Sequence, residues 1–249
     1  MLGIFARIPS AGTVKTRLHT ALSKSGAERF YAASLADTLE TAARVCERPV
    51  LFLADADPSP VNLSALRDTL LAAGLEPATW ERLDFAAQHG ADLGRRMENA
   101  LARLGADGAS PALLAGSDSP SLPPDRLAAA LRLLRAAGAA SSEGCPDVVL
   151  GPAADGGYYA IGVRRPVPGL LHDVAWSTES ALSDTVRRAE RLGLRVALLD
   201  PWTDVDRPGD LPELAIQIAG LRAAGDARTG RHSESCLRSL GWPGRSESA

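Results

Sequence analysis

Strand-length apolar runs alternate with helix-length stretches along almost the whole chain, which restricts the fold more than any other feature. Leu2 to Ile8, Val50 to Ala54, Ala112 to Ala115, Val148 to Leu150, Tyr158 to Val163 and Arg195 to Leu199 have the length and apolar content of strands. Ala78 to Leu83 is a further short candidate. Between them lie helical stretches: roughly Thr20 to Val45, Leu63 to Ala73, and Leu93 to Leu104 with Met97, Ala100, Leu101 and Leu104 on one stripe. Pro123-Pro124-Asp125 opens a helix from Arg126 to Ala137 that Gly138 stops. Ser177 or Thr178 caps another that runs to about Arg191, and Leu211 to Ala224 forms the last. Strands alternating with helices predict βαβ units, hence a mostly parallel mixed sheet with helices on both faces, in one α/β domain over residues 1–224. Past Gly225 the periodicity stops and Gly, Ser, Arg and Glu dominate, which predicts a flexible tail over 225–249, with Leu240 and Trp242 able to dock.

Composition excludes several functions. A net charge of -3 gives no general attraction to nucleic acid or to an anionic membrane. The apolar runs are too short to span a bilayer. The N-terminus reads as a first strand rather than a signal peptide, so the expected compartment is the cytoplasm. Cys46, Cys145 and Cys236 are odd in number and far apart, indicating neither a disulfide framework nor a zinc site. His19, His89, His172 and His232 have no ligand spacing, and Arg95-Arg96 reads as a solvated pair.

Carboxylates stand where two of the strands end. Ala112 to Ala115 runs into Gly116-Ser117-Asp118-Ser119-Pro120, and Arg195 to Leu199 runs into Asp200-Pro201-Trp202-Thr203-Asp204-Val205-Asp206. Ligands of open α/β sheets bind at the carboxyl ends of strands, so these aspartates are placed to hold a hard divalent cation against a phosphate. A turn at Asp118 and helix capping by Asp206 or Asp210 are the bland alternatives. The loop after the first strand, Pro9-Ser10-Ala11-Gly12-Thr13-Val14-Lys15-Thr16-Arg17-Leu18, combines a glycine with Lys15 and Arg17 beside a hydroxyl. It is not a P-loop, because Val14 and Pro9 occupy the positions where that motif needs glycine. Phosphate binding competes here with a solvated basic loop. Of the 27 basic residues only Lys15 and Lys24 are lysines, so a compact, movable ammonium at position 15 runs against the chain's arginine bias. In Gly151-Pro152-Ala153-Ala154-Asp155-Gly156-Gly157-Tyr158-Tyr159, Asp-Gly is a hairpin signal, while two aromatics beside a glycine pair suit a sugar or a base. Trp176-Ser177-Thr178 joins an aromatic to a helix cap.

Taken in order, Pro9, Gly12 and Lys15-Thr16-Arg17-Leu18; Gln88, Gly90, Asp92-Leu93-Gly94 and Arg96-Met97; Gly116 to Pro120; Gly151-Pro152, Asp155 to Tyr159 and Gly162; Trp176-Ser177-Thr178 and Thr185; and Asp204-Val205-Asp206 with Asp210-Leu211 resemble one family. The chain is similar, over roughly residues 2 to 220, to the bacterial DUF2064 family of GT-A-type glycosyltransferases, relatives of those in arsenosugar biosynthesis. The resemblance implies a GT-A-like, Rossmann-like nucleotide-diphospho-sugar transferase fold. It further implies nucleotide contacts from Pro9, Gly12, Lys15, Arg17, Gln88, Gly94, Arg96 and Ser117, and a divalent cation, Mg²⁺ or Mn²⁺, at Asp118 and Asp206 with Asp204 as alternate ligand. Gly156, Gly157, Tyr158, Trp176 and Ser177 fall on the sugar or acceptor side, with Asp155 as candidate acceptor-activating base. The chain departs from the family at Ala160, where a larger apolar residue is common, and at Arg207, where threonine is common. The expected partners are a nucleotide sugar and a small-molecule acceptor; oligomeric state stays open. The Lys15 to Leu18 run also resembles phospholactate guanylyltransferase, so nucleotidyl transfer with pyrophosphate release is the first alternative. A non-catalytic nucleotide-binding protein is the second.

Overall fold

The computed structural model describes residues 1–10, 12–54, 57–106, 111–135 and 145–242. The strands are β1 (Leu2–Arg7), β2 (Val50–Ala54), β3 (Asp84–Ala87), β4 (Ala112–Gly116), β5 (Val148–Pro152), β6 (Tyr158–Val163) and β7 (Val196–Leu198). The helices are α1 (Lys24–Val45), α2 (Pro60–Ala72), α3 (Pro77–Trp80), α4 (Leu93–Leu104), α5 (Pro124–Arg135), α6 (Ala181–Arg191), α7 (Asp210–Ala223) and α8 (Arg231–Ser239). One sheet of order β3-β2-β1-β4-β6-β5-β7 runs through the molecule. β1 pairs in parallel with β2 and β4, β2 with β3, and β5 with β7. Among the described strands β6 alone runs against its neighbours, β4 and β5. Every other strand therefore points the same way, and the carboxyl ends of β1, β4, β5 and β7 share one edge. From β1 the chain goes outward to β2 and β3, then returns to place β4 on the other side. That reversal opens a crevice between β1 and β4, the usual ligand position in sheets of this kind.

The two sheet faces carry separate cores. One gathers Leu35 and Leu39 of α1, Leu66 and Leu70 of α2, and Leu127 and Leu131 of α5 against Leu2, Ile4, Leu51 and Leu113. The other packs Met97, Leu101 and Leu104 of α4 and Ala189 of α6 against Val50, Phe52, Leu114 and Ile161. α1 lies deepest; even Ser34, Asp37, Glu40 and Thr41 on it are buried.

Several boundaries differ from those expected. Ala78 to Leu83 is not a strand: Pro77 fixes the first helical turn of α3, and β3 follows at Asp84–Ala87, where Phe85 stacks on Trp80 at 4.8 Å. α1 begins at Lys24, capped by Ser23 Oγ, which accepts the Gly26 amide at 3.0 Å; one 3-10 turn, Thr16–Thr20, precedes it. α6 starts at Ala181, because Ser177 takes a left-handed backbone (φ 63°) and Thr178 Oγ1 donates back to Ala175 O at 2.7 Å. Ala137 and Gly138, the expected end of α5, lie outside the described residues.

The predicted flexible tail is corrected over its first part. Residues 231–239 form α8, which lies along α1 and buries Ser233 and Leu237. Its anchor comes from far away in sequence. Asp37 accepts the amides of His232 at 3.0 Å and Ser233 at 2.8 Å, satisfying donors that a helix N-terminus leaves open. Arg231 reaches both oxygens of Glu40, at 2.9 and 3.0 Å, and Glu76 at 2.7 Å. Burial pushes the Asp37 carboxyl up to about 6, against the pull of its His232 and Ser233 contacts. Glu40 goes the other way: burial raises it, but His232 and Arg231 together bring it below the usual carboxylate range. Residues 243–249 lie outside the described part.

Candidate active site

At the shared strand edge lies a cleft of about 1000 Å³. Lys15 and Arg17 come from the loop after β1, Asp118 from the exit of β4, Asp155 and Gly157 from the β5–β6 turn, and Asp204 and Asp206 from the loop after β7. Leu93 and Met97 of α4, with Tyr158 and Trp176, form an apolar side.

The two expected metal carboxylates converge. Lys15 Nζ donates to Asp118 Oδ1 at 2.5 Å and to the Val205 carbonyl at 2.6 Å, and lies 3.9 Å from Asp206 Oδ1. Arg17 donates to Asp206 Oδ2 at 2.6 Å. Residues separated by 103 to 190 positions thus meet around one ammonium. Backbone geometry supports the meeting. The Val205 amide donates to Asp118 O at 2.8 Å, joining the two aspartate loops. Asp210 Oδ2 accepts the amides of Asp206 at 2.8 Å and Arg207 at 2.6 Å, fixing the loop ahead of α7. Asp210 thus braces the loop that carries Asp206, and both line the cleft. Lys15 itself sits in the left-handed region (φ 48°), uncommon for a residue with a side chain. Its hydrogen bonds hold that pose.

Asp118 is braced from behind. Ser117 is buried; Ser34 Oγ donates to its carbonyl at 3.0 Å, and its hydroxyl meets Tyr31 Oη at 3.2 Å. Tyr31 Oη in turn accepts the Arg7 amide at 2.9 Å at the end of β1. Burial, then the Asp118 charge, pushes the Tyr31 hydroxyl up to about 12, so it stays a neutral donor. Tyr31 was not foreseen from the sequence. A polar aromatic among small residues on a long helix was its one local signal.

Asp204 carries a carboxyl raised by burial, then by the nearby charges of Asp155 and Asp118. Among the described residues no three His, Cys, Asp or Glu side chains form a ready-made metal cage. Two converging carboxylates, Asp118 and Asp206, nonetheless suit Mg²⁺, which is commonly held by one or two carboxylates together with substrate phosphates and water.

The remaining expected residues divide clearly. Asp155, Gly157, Tyr158, Trp176 and Ser177 line the cleft. Asp155 Oδ1 accepts the Gly157 amide at 2.8 Å, so the hairpin turn and the cleft wall are the same structure. The Tyr158 ring meets Trp176 edge-on at 6.2 Å, and burial raises its hydroxyl. Gly156 does not line the cleft; it has φ +86°, and a Cβ there would fall 2.3 Å from the Glu179 carbonyl oxygen. Its own carbonyl accepts the Leu182 amide at 3.0 Å, so it seats the start of α6. Gly94 lets the 171–176 loop lie on α4, since a Cβ would stand 2.7 Å from Leu171 O. Pro9, Gly12, Gln88, Arg96 and Ser117 stand outside the cleft lining. Gln88 Nε2 donates to the carbonyls of Phe52 at 3.0 Å and Ala6 at 3.4 Å, tying β2 to β1, and Arg96 Nε donates to Gly90 O at 3.3 Å. Thr203, Glu179, Glu213 and Arg207 also line the cleft. None of the four had a sequence signal as a site residue beyond Arg207's departure from the family.

The model of the family described as "Uncharacterized protein conserved in bacteria (DUF2064)" matches residues 38–178. No curated protein is recognisably similar in sequence. A crystal structure from Desulfovibrio desulfuricans G20, which carries a provisional description as a nucleotide-diphospho-sugar transferase, is 28% identical with a TM-score of 0.75 and covers 96% of both chains. The 4-diphosphocytidyl-2C-methyl-D-erythritol synthase of Anaerococcus prevotii DSM 20548 is 9% identical with a TM-score of 0.52, covering 89% of this chain and 96% of its own. The fold is that of the nucleotide-diphospho-sugar transferases, as the sequence motifs implied.

Proposed function

The chain belongs to the bacterial DUF2064 family, and from its site we propose a metal-dependent glycosyltransferase that moves a sugar from a nucleotide-diphospho-sugar to a small-molecule acceptor. The convergence of Lys15, Arg17, Asp118 and Asp206 at the β1/β4 crevice carries this proposal. The Desulfovibrio structure's description supports it, because that chain matches over nearly the full length.

In this proposal Asp118 and Asp206 hold a Mg²⁺ or Mn²⁺ ion, with Asp204 as a reserve ligand. The ion, when bound, neutralises the charge that develops on the departing diphosphate. Lys15 and Arg17, which stand against Asp118 and Asp206, would hold phosphate oxygens and add positive charge where the leaving group forms. Tyr158 and Trp176, packed edge-on, supply an apolar wall for sugar or base. Asp155, exposed on the β5–β6 turn at the cleft, would take the acceptor's proton. Nucleotidyl transfer is the rival on the same fold; it differs in the bond broken, releasing pyrophosphate instead of a nucleoside diphosphate.

A panel of nucleotide sugars and nucleoside triphosphates, each with Mn²⁺ and with chelator, tests the pocket by thermal unfolding. A ligand at a hundredfold excess over Kd adds about 2.7 kcal/mol of stability. The expected outcome is stabilisation by a nucleotide sugar that disappears with chelator. Equal stabilisation with chelator removes the metal from the proposal, and stabilisation by triphosphates alone favours nucleotidyl transfer.

A further inference from the structure

The carboxylates assigned above to the metal already hold cations of the chain. Lys15 Nζ touches Asp118 at 2.5 Å and stands 3.9 Å from Asp206, while Arg17 holds the other oxygen of Asp206 at 2.6 Å. The Lys15 side chain is 3% exposed, but those of Asp118 and Asp206 are 54% and 39% exposed. Each carboxylate therefore presents one side to the cleft and the other to a cation of the chain. A divalent ion on Asp118 would stand in close range of a nearly buried ammonium, and like charges in a partly desolvated place repel strongly. The ammonium can remain only if an anion arrives to offset that repulsion. A nucleotide diphosphate is such an anion.

We propose that Lys15 is a built-in counter-ion, which holds Asp118 in the nucleotide-free protein and moves onto the diphosphate as metal and nucleotide bind together. This rests on the metal and nucleotide assignment made above. Three observations favour exchange over a permanent ion pair. The Lys15 carbonyl accepts the Leu18 amide at 2.9 Å, whereas its ammonium is held by two acceptors, one of them the half-exposed Asp118 at the cleft, so the side chain can swing to a cleft ligand with the backbone left in place. The residue caps a single 3-10 turn and lies between the buried Val14 and Leu18, which seat the backbone while the long side chain reaches the cleft edge. The side chain is also one of only two lysines among 27 basic residues. A compact ammonium with rotatable donors can pass from a carboxylate to a phosphate, whereas the planar fork of an arginine would grip the carboxylate in two places.

Two consequences follow. Metal alone binds weakly, because it competes with Lys15 for Asp118 while the ammonium, still held by the Val205 carbonyl, stays close to the ion. Metal and diphosphate raise each other's affinity, and by linkage they do so equally. The test is Mn²⁺ binding to the full chain, followed by electron paramagnetic resonance of the free ion, with and without inorganic pyrophosphate and against protein-free controls. Wild type, Lys15→Met and Lys15→Gln are compared, each checked for its fold by circular dichroism. Without pyrophosphate, both variants are expected to bind Mn²⁺ about tenfold more tightly than wild type, within the usual range of site-to-site coupling. The enhancement caused by pyrophosphate should shrink by a similar factor. If wild type binds Mn²⁺ with pyrophosphate but neither variant binds the bare ion more tightly, the metal site stands and the counter-ion role is overturned. If no form binds Mn²⁺ even with pyrophosphate, the metal assignment itself fails and the exchange fails with it.

Discussion

Asp118→Ala is expected to lower turnover of the cleaved nucleotide sugar about 10²–10³-fold, the usual cost of losing one group that stabilises developing charge. The fold should survive. The Asp118 side chain is half exposed, its backbone carbonyl still accepts the Val205 amide, and Ser117 remains pinned by Ser34 and Tyr31. Lys15 loses its nearest carboxylate but keeps the Val205 carbonyl, with Asp206 close by. The loss should thus fall on rate and on metal-dependent nucleotide binding rather than on folding. Asp155→Asn gives a useful contrast: as an acceptor base its loss should lower the rate with metal binding intact, and normal turnover would remove Asp155 from that role. Full activity in Asp118→Ala would dismantle the whole arrangement.

The second large effect concerns stability. Arg231→Ala strips both guanidinium contacts from Glu40, which is only 5% exposed, and leaves it with His232 alone. Glu40 is buried but the Arg231 side chain is a third exposed, so the loss falls short of that of a fully buried pair, at about 2 kcal/mol. In a chain of this size that is a fall in Tm of about 4–8 °C, at roughly 2–4 °C per kcal/mol. The Asp37 contacts to the α8 amides depend on α8 staying docked, so the loss should extend to the helix as a whole. A Tm unchanged within a degree or so would mean that α8 contributes little to the fold.

That helix also marks where sequence reasoning stopped. The alternation of apolar runs made the sheet and its flanking helices legible, because burial on both faces leaves strands with continuous apolar stretches. The tail was misread because α8 is polar and its anchors, Asp37, Glu40 and Glu76, lie more than 150 residues away. No local pattern reports a cap supplied by another helix. Asp118 and Asp206 were legible as carboxylates after strands, and the crevice rule brought them to one edge. The partition between cleft wall and support was hidden. Gly156, Gly94 and Gln88 share motifs with cleft residues yet serve packing and strand pairing, a distinction that needs the close approaches of Glu179, Leu171 and Phe52. Tyr31 lay beyond reach because its role depends on Ser117, 86 positions later.

The most direct test of the central claim is the product released when the purified protein meets Mn²⁺, an acceptor pool and its stabilising nucleotide. A transferase of the proposed kind releases a nucleoside diphosphate from a nucleotide sugar, and chelator stops the release. Release of pyrophosphate from a nucleoside triphosphate, with nucleotide sugars left intact, would contradict it and assign the same site to nucleotidyl transfer.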